Sequence, residues 1–253
     1  MLFEDRSRAE SFGGVAAQYD RARPSYPSAL VDALLEDGAR RVLDVGCGTG
    51  IAAALLAARG CTVLGVEVDA RMAKLARAKG LEVEVARFED WRPHGRQFDL
   101  VTAAQAWHWV DPSAGATRAA EVLRVGGRLG VFWNLAHLPA RVSELLSPIY
   151  TRLGPDVENY SSLLGNRDKR AQVTLAGIAD SGAFGASETT TFGWSRSYDT
   201  AAWLEQLATH SDHQTLPPSQ RRRLLAAVGE AIDAIGGSFE MSYETVLIAA
   251  QRV

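Results

Sequence analysis

The stretch Arg41-Val42-Leu43-Asp44-Val45-Gly46-Cys47-Gly48-Thr49-Gly50 decides the fold, together with the alanine- and leucine-rich run from Ile51 to Arg59. It reads as a short buried strand, a glycine loop and the start of a helix. Glycines at such a corner let the backbone turn tightly and let a ligand approach closely. The spacing separates the loop from two better-known nucleotide loops. Ile51 stands where a dinucleotide fingerprint has its third glycine or an alanine. No lysine follows, so the phosphate-cradling Gly-Lys-Ser/Thr is absent. Glu67 ends the next apolar run, Thr62–Glu67, about twenty residues further on, where a carboxylate can accept hydrogen bonds from both hydroxyls of a ribose. The loop is therefore read as a site for a ribose-bearing ligand.

Working outward, strands and helices alternate. Helices are predicted from Ser28, as a cap, to about Asp37, over Ile51–Arg59, Ala70–Lys79 and Pro112–Leu123. Strands are predicted over Arg41–Val45, Thr62–Glu67, Leu81–Ala86, Phe98–Ala103 and Gly127–Trp133. This order implies an α/β fold with a parallel sheet and helices on both faces. The second half is less regular. It has helical pieces around Pro139, Pro148 and Pro155, a helix over Ala171–Ser181 and a threonine-rich strand over Glu188–Trp194. Helices over Thr200–Thr209 and Pro218–Ile235 precede a closing strand, Ser242–Gln251. No linker forces a division, so residues 1–253 are expected to form one domain, with an N-terminal lid at 1–27 and a cap insertion at about 135–168.

Composition bounds the function. The chain has 253 residues, 47% hydrophobic and 23% charged, with a formal charge of −3. That is ordinary for a globular protein, and it lacks the basic surplus of a nucleic-acid binder. Cys47 and Cys61 make neither a CxxC pair nor a zinc spacing. Met1–Glu10 has no apolar core of a signal peptide, and no run is long enough to span a bilayer. The expectation is a cytoplasmic protein without membrane or nucleic-acid partners, monomeric or a homodimer.

The glycine loop with Glu67 resembles the cofactor motifs of class I S-adenosylmethionine-dependent methyltransferases. The likeness continues in Phe98-Asp99-Leu100-Val101, in Ala104-Gln105-Ala106-Trp107-His108-Trp109, and in the opening Phe12 to Pro27 stretch with Tyr19-Asp20 and Arg23-Pro24-Ser25-Tyr26-Pro27. Together these are similar to the branch of trans-aconitate-type and other small-molecule methyltransferases, strongly over residues 12–134. The resemblance implies a Rossmann-like seven-stranded sheet of order 3-2-1-4-5-7-6, the last strand antiparallel, with a helical cap. It implies S-adenosylmethionine as cofactor. Gly46, Gly48 and Gly50 would line its methionine and ribose parts, Glu67 would hold the ribose, and Met72, Phe88 and Glu89 would lie near the adenine. Gln105 would lie beside the methionine moiety, and Tyr19 and Arg23 would close over the cofactor. Asp44, Cys47 and Val68 complete the implied contact set.

Methyl transfer from a sulfonium is an in-line displacement that gains from positioning and from exclusion of water. A hydroxyl or thiol acceptor must also lose a proton. His108, just past the fourth strand, is the candidate general base, since imidazole titrates near neutral pH; the alternative is a wall residue packed under the cap. Trp107 and Trp109 either shape a pocket or fill core. His137, His210 and His213 are expected at the surface. No metal spacing is visible near the strand ends, so the reaction is expected to be metal-independent. Arg221-Arg222-Arg223 lies on a helix and splays around its axis, a solvated face. The fourth strand lacks the Asn/Asp-Pro-Pro-Tyr/Phe signature of nitrogen-methylating relatives. A small-molecule acceptor, methylated at oxygen, is expected; an RNA or protein methyltransferase and a non-catalytic cofactor-binding module are the alternatives.

Overall fold

A computed structural model describes residues 11–155, 157 and 167–253, the side chains of 11, 12 and 167–169 excepted. The rest of the expected lid and part of the expected cap insertion lie outside the described residues, as does the Phe12 side chain. A 3-10 turn (Ser11–Val15) leads into α1 (Ala16–Ala22) and α2 (Ser28–Leu34). Then come β1 (Arg41–Val45), α3 (Ile51–Ala57), β2 (Thr62–Glu67), α4 (Ala70–Ala78), β3 (Glu82–Val85) and β4 (Phe98–Ala104). A second 3-10 turn (Trp107–Trp109), α5 (Pro112–Val122), β5 (Leu123–His137), α6 (Ala140–Leu153) and α7 (Arg167–Asp180) follow. The chain continues through β6 (Glu188–Asp199), α8 (Thr200–Leu207), α9 (Ser211–Gln214), α10 (Pro218–Ala234) and β7 (Ser238–Gln251).

The seven strands form one sheet of order β3-β2-β1-β4-β5-β7-β6. β1 to β5 pair in parallel, while β7 runs antiparallel to both β5 and β6. This is the expected Rossmann-like arrangement. The pleat sorts the side chains onto two cores. Leu43, Val45, Val101, Ala103, Leu129 and Val131 pack beneath α5 and α7. Their neighbours Val42, Leu100 and Phe132 face the other way, under α2 and α3. Among the described residues, no helix is long and apolar enough to cross a membrane.

Four elements differ from expectation. β6 and β7 are longer, pairing from Glu188↔Ala249 to Asp199↔Ser238. Their far end leaves the parallel sheet and builds a third core with α6, α8 and α10, around Tyr198, Trp203, Leu224, Val228, Ile232 and Met241. β5 likewise runs on to His137, because β7 supplies a partner as far as Ser242. So the expected insertion begins as strand, and α6 carries Pro148 within it. Ser28 is the first residue of α2 rather than its cap: Pro27 takes that place without a side-chain hydrogen bond, and α2 stops at Leu34.

Candidate functional site

The glycine loop lies at the carboxyl ends of β1 and β2, the end where open α/β sheets bind ligands. Gly46, Gly48 and Gly50 all have positive φ, of 64°, 56° and 81°. Gly50 is the left-handed cap of α3. Gly46 is pressed so closely on the chain past β4 that a Cβ there would stand 2.6 Å from that of Ala106. Gly48 differs: its missing Cβ would meet only the end of Met72, at 3.6 Å. Close packing explains the first glycine; at Gly48 the backbone is bare toward the cleft.

Glu67 ties the loop to β2. Its Oε2 accepts from the Gly48 amide at 2.8 Å and its Oε1 from the Asp69 amide at 2.9 Å. Burial raises its carboxyl above the ordinary range, and these two amides oppose that rise. Each oxygen keeps lone-pair capacity for a further donor. Asp44, below the loop, is wholly buried. Burial pushes its carboxyl up to about 7, with the Thr102 hydroxyl, which donates to Oδ1 at 2.9 Å, opposing. Asp44 Oδ2 and the Thr49 hydroxyl are buried with no hydrogen-bond partner among the described residues. Unpaired buried polar atoms call for an explanation, of which a bound group is one.

The other expected residues are placed as follows. Met72 is buried under the loop, and Val68 is 36% exposed just beyond β2. Cys47 turns its thiol away, into a small cluster with Ala73, Ala76 and Val83, so only its backbone belongs to the loop. Phe88 is core, its ring 6.4 Å from that of Trp107. The Glu89 carboxylate reaches across to accept from the Asp111 amide at 3.3 Å. Gln105 has a φ of 55°, rare for a residue with a side chain. Its amide donates to Phe132 O at 2.9 Å and its Nε2 to Asn134 O at 3.0 Å. Strain held by such bonds gathers at ligand sites. Trp107 is 2% exposed and belongs to the core. His108 and Trp109 are half-buried beside each other, rings 4.9 Å apart.

The N-terminal segment crosses over this end of the sheet. Asp20 pairs with Lys79 of α4, and Arg21 with Glu205 of α8 at 2.7 Å. Gly13 packs so tightly on Asp69 and Arg71 that a side chain there would clash. Arg23 stacks over the Tyr19 ring at 4.8 Å and donates to Thr209 O at 2.9 Å. Tyr26 meets Phe132 edge-on at 4.9 Å, and Asp44 is among the charges that act on its hydroxyl.

Two groups were not legible in sequence. Asn134 donates to Ser25 O at 2.9 Å and accepts from the Thr245 hydroxyl at 2.6 Å, tying the strap to β5 and β7. His213 is buried rather than superficial, at 2% exposure. It lies between Asp212 Oδ1, at 2.8 Å, and the Tyr150 hydroxyl, at 3.0 Å. His210, also expected outside, is half-buried beside it. Of the expected solvated face, Arg222 and Arg223 are exposed and Arg221 is half-buried. No cluster of metal-ligating side chains occurs among the described residues.

Comparison with known proteins agrees with this architecture. A family profile described as a methyltransferase domain matches residues 42–127. An uncharacterized methyltransferase of Mycobacterium tuberculosis is 44% identical over 137 residues, 53% of this chain and 56% of that protein. The chain thus spans about half the length of the curated relatives it matches first. A ubiquinone biosynthesis O-methyltransferase of Thiobacillus denitrificans is 34% identical over 96 residues, 35% of this chain and 41% of that one. Among solved structures, one from Anaeromyxobacter dehalogenans, named for a type II methyltransferase, superposes with a TM-score of 0.67 at 24% identity. That match covers 90% of this chain and 97% of the other.

Proposed function

We propose that this chain is a class I S-adenosylmethionine-dependent methyltransferase that moves the cofactor's methyl group to an oxygen of a small-molecule acceptor. The observation that carries the reading is the loop with Glu67. A bare Gly48 backbone, a buried carboxylate with spare acceptor capacity and an unsatisfied Asp44 Oδ2 suit a ribose and a cationic amino group. The likeness to O-methyltransferases supports oxygen as the acceptor atom. The formal charge of −3 favours a small acceptor over RNA.

In this reading Glu67 accepts from the ribose hydroxyls, and Asp44, once ionised, faces the amino group. The Phe88–Glu89 corner, Val68 and Met72 border the adenine, while Gln105, Tyr19 and Arg23 border the methionine end. When bound, the cofactor supplies an electrophilic methyl on a sulfonium. The protein's own work is to align the acceptor oxygen with it, keep water out and take the acceptor's proton, a task we assign to His108. The lid, the sheet and the cap form one unit, residues 1–253.

Binding and turnover test the proposal. Calorimetry should detect S-adenosylhomocysteine binding, and Glu67→Ala should weaken it by about 30- to 1,000-fold, the loss of two charge-assisted hydrogen bonds. A panel of phenols and hydroxy acids with methyl-labelled cofactor should yield a methyl ether or ester. Unchanged affinity in the variant would refute the cofactor site; binding without turnover on any acceptor class would leave a binding module instead.

A further inference from the structure

The sheet ends in two unlike edges. β3, on one side, has four residues and carries Glu82 and Glu84, the shortness and charge that blunt an edge. β6, on the other, runs for twelve residues in unbroken register with β7. From Thr189 to Ser195 it has no charge, no proline and no bulge. Beyond its ladder with β7 it makes no backbone hydrogen bond among the described residues. Such an edge is a template for another strand, and its side chains say which one. Thr189, Thr191, Gly193, Ser195 and Ser197 share one face, all exposed. Glu188 and Thr190, exposed, share the other with Phe192, Trp194 and Arg196, which are half-buried. Two copies meeting about a two-fold axis normal to the sheet run antiparallel, with the same face of each turned the same way. Each residue then opposes one from its own face. One such register sets Glu188 of each copy opposite Arg196 of the other, with Thr189 opposite Ser195, Thr191 opposite Gly193, and Phe192 against itself on the axis. Arg196 is the one cation of the strand. A slip of two residues either way turns Glu188 to Trp194 or Tyr198 instead. Arg196 is already held in place, its Nη1 donating to Ala22 O at 3.2 Å and its guanidinium stacked 4.7 Å from the Tyr198 ring. A guanidinium has five N–H donors, so it can also take a carboxylate.

We propose that β6 is a dimerisation edge, where two copies of this chain join antiparallel, Glu188 to Arg196, into one continuous sheet. Pairing supplies partners for the outward N–H and C=O groups of β6 and covers Phe192 with its counterpart. It uses up the open edge of each copy, so assembly closes at two. Because Arg196 also holds the strap at Ala22 O, the same contact braces the N-terminal segment in both copies.

Sedimentation equilibrium of the full chain tests this. At micromolar concentration the wild type should sediment at twice the chain mass of 27.3 kDa. Glu188→Arg and Arg196→Glu each set like charges opposite at both ends of the pair, and each should weaken the dimer about five- to a hundredfold. Mixing the two variants restores opposite charges at both ends, so the mixture should form a heterodimer about as tight as the wild-type dimer. Neither damage to the fold nor an interface elsewhere predicts that rescue. Hydrogen exchange of the wild type needs no variant: amides within residues 189–195 should slow at least about tenfold between dilute and concentrated protein. A monomer at every concentration, a dimer indifferent to both reversals, a mixture no tighter than its components, or β6 exchange independent of concentration would each overturn the proposal.

Discussion

Asp44 carries a conflict between holding the fold and holding a ligand. Its carboxyl, raised by burial to about 7, binds a proton more tightly folded than unfolded. Stability is therefore lost as pH rises from the unfolded value near 4 through 7, and the loss is complete above 7; at full ionisation it amounts to roughly 4 kcal/mol. Asp44→Asn keeps an acceptor for Thr102 and removes the charge. It should melt at the wild-type temperature or higher at pH 8, yet bind S-adenosylmethionine at least about tenfold more weakly. Melts at pH 5 and 8 with calorimetry check both; a variant less stable at pH 8 would overturn the account. For His108 the expectation is kinetic. His108→Ala should lower kcat by about 100-fold or more with little change in KM; full turnover would make it a wall of the pocket. The residues readable from sequence were those fixed by backbone geometry, the three glycines, and by strand position, Glu67 and Gln105. His213 and Asn134 were not, because their places depend on pairings across 63 to 111 positions of chain.

At the scale of elements, α1 is the exception to hydrophobic packing. Only Ala16 and Ala22 of its seven residues are buried. Polar contacts hold it on two sides, through Asp20–Lys79, Arg21–Glu205 and the Gln18 amide on Glu205 O. Exposed ion pairs contribute little each, about 0–1 kcal/mol, and weaken with salt. Replacing Lys79 and Glu205 together by Ala should shift the melting temperature by less than about 4 °C. Cofactor dissociation, followed by stopped-flow fluorescence, should quicken about three- to tenfold, and high salt should mimic the change in wild type. Dissociation indifferent to both would show that the strap does not gate the cleft. Alternation and turn residues made the strands and helices of the first half legible. β6 and β7 were under-read because Gly193, Ser195, Ser197, Ser238 and Ser242 dilute the apolar pattern where only one face packs on the cap.

For the molecule as a whole, Thr245 is the junction. Wholly buried in β7, its hydroxyl accepts from Trp194 Nε1 at 2.9 Å and donates to Asn134, which holds the strap at Ser25. Thr245→Val keeps the shape and strands both partners. It should cost about 1–3 kcal/mol, seen in urea as a lower midpoint with an unchanged slope, and should also hasten proteolysis within residues 11–27. A shift within error would mean that water replaces the hydroxyl. β7 itself, the last strand in sequence, lies between β5 and β6 rather than at an edge. During synthesis the ribosome therefore releases a sheet with an open slot: β1 to β5 can pair in order, but β6 has no neighbour until residues 238–251 emerge. Until then Leu129, Val131 and Phe132 lie along an unfilled strand edge. A nascent chain stalled before residue 238 should thus be held by chaperones, and release of the last fourteen strand residues should be the event that frees it.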